Sequence, residues 1–186
     1  MKKLTCLFTL GMLSVSAPAA QIIYVWEGSL SGSLDGSSFT SEPFILTVTA
    51  DTVNVAPYSD GVFVLNDTAT IDLLGQTLSI STPTTTSLND TFDGVTFGND
   101  LVKFDILLMF NGVLDGYDLA SPFGPLVVAP PDTFVSQAGN PLATNGGALL
   151  ILDSAGTTLT FSAIPEPTAL ALLGLGGLAL GSRRTR

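Results

Sequence analysis

Between residues 21 and 164 apolar and polar positions alternate with a period of two, the pattern of strands that bury one face. Phe44, Leu46 and Val48 point one way, and Ile45, Thr47 and Thr49 the other. Ala69 and Ile71 alternate with Thr70 and Asp72, Leu78 and Ile80 with Ser79 and Ser81, and Leu159, Phe161 and Ala163 with Thr158, Thr160 and Ser162. The longest apolar stripe is Val102, Phe104, Ile106, Leu108 and Phe110, opposite Lys103 and Asp105. Further strands are expected near 22–30, 61–65, 91–97 and 148–152, and residues 28–40 have the look of a hairpin. Turn residues punctuate the runs, as at Asn66-Asp67, Asn89-Asp90, Gly98-Asn99-Asp100 and Asn145-Gly146-Gly147. The stretch 115–147 holds five prolines and predicts long loops with one short strand at Leu126–Ala129. Ser81–Ser87 reads as a polar linker around Pro83, with O-linked sugar as its functional alternative. Eight to ten short strands predict an all-β fold, an antiparallel β-sandwich body over residues 21–163.

The two ends break the alternation. Residues 1–20 run from Lys2 and Lys3 through an apolar stretch, Leu4–Val15, to Ser16-Ala17-Pro18-Ala19-Ala20. That is the basic, apolar and small-residue order of a secretory signal peptide, with cleavage expected after Ala19 or Ala20. The expected path is therefore through the secretion translocon. Cys6 is the only cysteine, so the mature chain would hold no thiol and no disulfide. Residues 164–186 read Ile164-Pro165-Glu166-Pro167-Thr168, an uncharged run Ala169–Gly181, then Ser182-Arg183-Arg184-Thr185-Arg186. The prolines favour an extended segment that a processing enzyme can grip. The apolar run predicts a short transmembrane helix through residues 169–181, and Arg183, Arg184 and Arg186 predict stop-transfer with the C-terminus in the cytoplasm. Thirteen residues rise about 20 Å, less than the ~30 Å of a hydrocarbon core, which suits a transient stop.

Pro165-Glu166-Pro167, the short Gly/Ala/Leu-rich helix and the arginine end together resemble the PEP-CTERM sorting domain. The resemblance covers about residues 164–186 and implies processing near the motif by an exosortase, a membrane-embedded cysteine transpeptidase of Gram-negative, often polysaccharide-secreting bacteria. It implies a final place at the cell surface or outside it. The 28–40 hairpin with Asp51-Thr52-Val53-Asn54 is loosely similar to bodies found in such proteins, and this similarity implies no active site.

Charge narrows the role of the body. Fifteen carboxylates and one lysine, Lys103, give residues 21–164 a net charge of −14, which repels nucleic-acid phosphates and anionic headgroups. The chain has no histidine, so the usual near-neutral general base is missing, and no Gly-x-Ser-x-Gly elbow is present. No catalytic function and no cofactor are expected. A weak calcium reading rests on Asn89, Thr91, Asp93 and Asp100, spaced like a cation-binding loop, with a second acidic turn at Asp115 and Asp118. The first position lacks Asp, the last lacks Glu, and the flanks look like strands, so ordinary solvated turns are the preferred reading. Tyr24, Trp26, Tyr58 and Tyr117 are candidates for a sugar platform, with core packing preferred for the Tyr24–Trp26 pair. The leading expectation is a structural or interaction protein of the surface or extracellular matrix. The alternative is a polysaccharide-binding module, with calcium as an optional aid.

Overall fold

The computed structural model describes residues 21–135, 140–152 and 157–166. The signal segment 1–20 with Ala19 and Ala20, Pro167, the apolar run 169–181 and Arg183, Arg184 and Arg186 lie outside the described residues. The described chain is an antiparallel two-sheet body, as the alternation predicts. Its strands are β1 (Gln21–Leu34), β2 (Ser37–Asp51), β3 (Ala56–Tyr58), β4 (Gly61–Leu65), β5 (Thr68–Leu73), β6 (Gln76–Ser79) and β7 (Thr84–Asn89). They continue with β8 (Gly94–Asn99), β9 (Phe104–Phe110), β10 (Phe123–Val128), β11 (Thr133–Val135), β12 (Leu142–Thr144), β13 (Gly147–Ile151) and β14 (Leu159–Pro165). One sheet runs β10-β14-β1-β2-β5-β6, with β13 also paired to β1 and β12 to β13; the other runs β11-β9-β8-β7-β4-β3.

The expected hairpin at 28–40 is the tip of a much longer one. Its turn is Asp35-Gly36, both at positive φ (48° and 81°), the backbone that a two-residue loop needs to match strand twist. Behind the turn Ser41, at φ 52°, sits in a bulge where pairing shifts from Leu30/Glu42 to Gly32/Phe39. The extra residue moves the buried face of β2 from Phe39 to Phe44, Leu46, Val48 and Ala50. Gly32 lies where β13 comes alongside β1, and a Cβ there would stand 2.1 Å from the Leu150 carbonyl oxygen. Gly32→Ala is therefore expected to cost about 1–3 kcal/mol by prising β13 away, seen as a lower urea midpoint.

Four expectations need correction. First, the stripe Val102–Phe110 does not keep one face inward. Opposite β8, pairing shifts between Phe97 and Gly98, and Ile106 is the residue that is passed over. Ile106 and Leu107 are both buried, Met109 follows, and Leu108 and Phe110 turn outward; Val102 is exposed before the strand begins. Second, the strand expected over 91–97 starts only at Gly94, because Asn89 Oδ1 accepts the N–H groups of Thr91 and Phe92 and closes a turn there. Third, the polar linker is half strand. In β7 Thr84, Thr86 and Leu88 face inward, and the two threonines are satisfied by Asn66, which donates to Thr84 Oγ1 and accepts from Thr86 Oγ1, both at 3.0 Å. Burial takes Thr84 and Thr86 away from any glycosyl transfer on the folded protein. Fourth, the proline-rich stretch carries β10, β11 and β12, where one short strand is expected.

Three of the four largest fully buried side chains, Trp26, Tyr24 and Phe161, lie on β1 and β14. Trp26 and Phe161 are directly opposed in register, their rings 4.8 Å apart, and Tyr24, Tyr117 and Phe123 ring Phe161 at 6.1–6.4 Å or close to each other. Tyr24 and Trp26 have no exposed surface.

Candidate functional site

Two places could carry function: the end of β14, where the sorting motif begins, and the outer face of the six-stranded sheet.

The motif does not hang clear of the body. Pro165 is the last residue of β14 and pairs with Ile22 of β1, and the Glu166 N–H donates to the Gln21 carbonyl at 3.1 Å. Gln21–Glu166 is thus a hydrogen-bonded pair of the antiparallel ladder, and Ile22–Pro165 is the non-bonded pair beside it. A proline can stand at that position without breaking a bond to β1, since the N–H it lacks would point the other way. On that other side β10 reaches no further than Phe123, opposite Ala163. Strand β14 thus runs across the boundary expected between residues 163 and 164 and ends inside the motif. With its amide nitrogen toward the carboxylate, Gln21 also donates to Glu166 Oε2 at 2.7 Å and Oε1 at 3.0 Å.

On the second face, register aligns Phe63, Ser87, Thr96, Leu108 and Phe134 in one row across β4, β7, β8, β9 and β11. Thr96 Oγ1 lies 2.7 Å from Ser87 Oγ and donates to Asp105 Oδ1 at 2.9 Å. Thr96 has a single hydroxyl proton, so Ser87 must be the donor to Thr96, and the Ser87 oxygen keeps acceptor capacity toward solvent. A groove of about 360 Å³ opens over this chain, with Thr85, Ser87 and Asp105 below and Tyr58, Phe63 and Phe104 beside it. A second hollow of about 300 Å³ continues it past Leu108 to Phe134. Tyr58 meets Phe63 edge-on at 6.3 Å and donates its hydroxyl to the Leu88 carbonyl at 3.0 Å. Partial burial, with the fields of Asp105 and Asp60, pushes the Tyr58 hydroxyl above its ordinary range, so it stays neutral. Lys103 pairs with Asp100 at the rim. A larger hollow, about 420 Å³, lies by β2, β5 and β6, but its lining offers Ile45, Leu74 and Asp72 with no exposed aromatic ring.

The other candidates sort clearly. Of the four aromatics expected to form a platform, Tyr24, Trp26 and Tyr117 are buried, and Tyr58 alone reaches the surface, 37% exposed. Tyr24 donates to the Leu119 carbonyl at 2.5 Å and Tyr117 to that of Ser121 at 3.0 Å; burial, then the nearby Asp118 carboxylate, raises the Tyr24 hydroxyl far above its usual range. The residues spaced like a calcium loop are not brought together. Asn89 and Asp93 lie at one end of β8 and Asp100 at the other, separated by six strand residues, about 20 Å. Asp115 and Asp118 belong to a different loop. Burial favours the neutral Asp118 carboxyl, but the N–H groups of Ala120 and Ser121 and the Ser121 hydroxyl outweigh it and hold the group below the usual carboxylate range. Asp118 is a turn cap, and among the described residues no three His, Cys, Asp or Glu side chains gather as a metal site. The groove was missed in the sequence because its members come from β3, β4, β7, β9 and the loop before β9, whose register only pairing defines; the polar outer positions Thr85 and Ser87 were the available signal.

Residues 163–186 match the PEP-CTERM protein-sorting motif. The match covers Pro165-Glu166-Pro167, the apolar run and the arginines, and it supports an exported protein processed by an exosortase in membrane transit. No curated protein and no solved structure matches the chain. Among the described residues no helix is long and apolar enough to cross a membrane, and the run 169–181 lies outside them.

Proposed function

We propose that this chain is a structural or interaction protein of the cell surface or extracellular matrix. It is exported by its signal segment through the translocon, held in the inner membrane through residues 169–181 with the C-terminus cytoplasmic, and cleaved by an exosortase at Pro165-Glu166-Pro167. The observation that carries this reading is the sorting motif at 163–186. Its body acts by contact and not by catalysis: without histidine or a mature thiol, the sequence supplies none of the usual nucleophile–base pairs. Intact mass of the protein recovered outside the cell is the direct test. It should begin at Ala20 or Gln21 and end within or next to the motif. A recovered chain running from Met1 to Arg186 would reject the reading.

The groove favours a second reading, a polysaccharide-binding module. Rings at the sides and hydroxyl and carboxylate oxygens below suit a sugar, whose C–H faces stack on aromatics while its hydroxyls take hydrogen bonds. The surrounding acid favours a neutral glycan over an acidic one, since Asp105 and Asp100 face the space. Tyr58→Ala is expected to weaken binding to neutral oligosaccharides about tenfold, by calorimetry with and without calcium. Equal affinity for the variant would place any sugar elsewhere.

A further inference from the structure

The two ends of the exported body meet at one point. β1 and β14 are neighbours in the sheet, and just past their outermost register pair, Ile22–Pro165, the Glu166 N–H donates to the Gln21 carbonyl. Glu166, the only acidic residue of the motif, is held there by its N–H on the Gln21 carbonyl, and its carboxylate lies within hydrogen-bond reach of the Gln21 amide when that amide turns its nitrogen toward it. Neither contact is available to a second protein while the pair is closed. Space is limited as well. Glu166 stands three positions before Ala169, where the apolar run begins, at most about 11 Å of chain. An enzyme working at the membrane must therefore enter between the bilayer and the end of a folded sheet.

We propose that Gln21 is a latch on the sorting motif: holding Glu166 at the outer end of the β1–β14 ladder makes opening of that contact a step before recognition by the processing enzyme. The proposal rests on the exosortase reading above. It gives Gln21, which lies outside the matched residues 163–186, a part in setting the processing rate. It also separates two requirements. The body from Tyr24 inward stays folded, since Tyr24–Ala163 and Trp26–Phe161 lie in the core, while the outer end of the ladder, with exposed Gln21 and Ile164, frays as far as Ile23–Ile164 when the Gln21–Glu166 contact opens. The sequence at the start of the mature chain then tunes how readily its far end is cut.

A cross-link adjacent to the motif tests this without altering the motif. Ile23 and Ile164 face each other in register, and Ile164 is exposed. As a hydrogen-bonded pair their Cα atoms stand about 5.5 Å apart, within disulfide range. In the full chain carrying Cys6→Ser, the pair Ile23→Cys and Ile164→Cys should oxidise during export, and pulse-chase should show maturation slowed about fivefold or more, recovering with dithiothreitol. Gln21→Ala and Gln21→Glu, the latter repelling Glu166, should instead mature about two- to fivefold faster than wild type. A cross-linked chain that matures at the wild-type rate would overturn the latch, as would failure of the pair to cross-link or unchanged rates for both Gln21 variants. Replacement of Pro165, Glu166 and Pro167 by alanine is the control. If that variant still matures normally, motif-directed processing is wrong and the latch falls with it; if it does not mature, only the latch is at stake.

Discussion

Replacing Pro165, Glu166 and Pro167 together with alanine is expected to reduce exosortase maturation to background and leave protein with its C-terminal tail uncleaved in the inner membrane. Hydrophobicity alone would predict no change, because Ala169–Gly181 and its arginine stop remain. The alternative to a plain anchor is that the motif is read by shape and charge. Proline locks its own φ and disfavours helix at the residue before it, and three alanines would remove both restraints. Glu166 is the only charge between Asp153 and Arg183, so its loss leaves a recognition site with no counter-charge nearby. Glu166→Gln separates the two contributions, since it preserves shape. Fractionation and immunoblotting check the outcome: wild-type amounts of processed triple variant at the surface would show that the tail is only a membrane stop.

The second large effect lies in the core. Phe161→Ala should destabilise the body by about 3–5 kcal/mol, since the ring is fully buried against Trp26, Tyr24, Tyr117 and Phe123. For a domain with a stability of about 5–15 kcal/mol this is a large fraction, and Tm should fall by roughly 10 °C or more. The surrounding residues come from β1, β10 and the loop before it, so collapse into the space would have to move several elements at once. Trp26→Phe makes the contrast. The Trp26 Nε1–H is buried with no hydrogen-bond partner, a cost of about 1–3 kcal/mol that phenylalanine removes. That gain offsets much of the lost volume, and the variant should stay within about 1.5 kcal/mol of wild type. Urea unfolding checks both; a Trp26→Phe penalty as large as that of Phe161→Ala would show that packing volume decides and the orphan N–H does not.

What local chemistry could specify was legible in the residues. Strands β2, β5 and β14 were visible because alternate positions were strongly apolar, β4 and β13 because they are short apolar runs between turn residues, and the β1–β2 hairpin because Asp-Gly suits its turn. The sorting tail was legible for a different reason: a partner enzyme and a bilayer act on an extended motif, a greasy run and a charge cluster, all of which are linear in the chain. Strand β7 was hidden because its inward residues include Thr84 and Thr86, polar by composition and buried only because Asn66 reaches them from outside the strand. The stripe of β9 changed face because one extra residue opposite β8 reversed the alternation, and nothing local marks where a partner strand will be one residue short. Pairing between distant strands likewise decided that Tyr24 and Trp26 are core, that the calcium-spaced acids stand a strand's length apart, and that aromatics from β3, β4 and β9 border one groove. The same long-range pairing set Gln21 beside Glu166, residues at opposite ends of the body, because β1 and β14 are neighbours in the sheet and sequence separation has no bearing on which strands share a ladder.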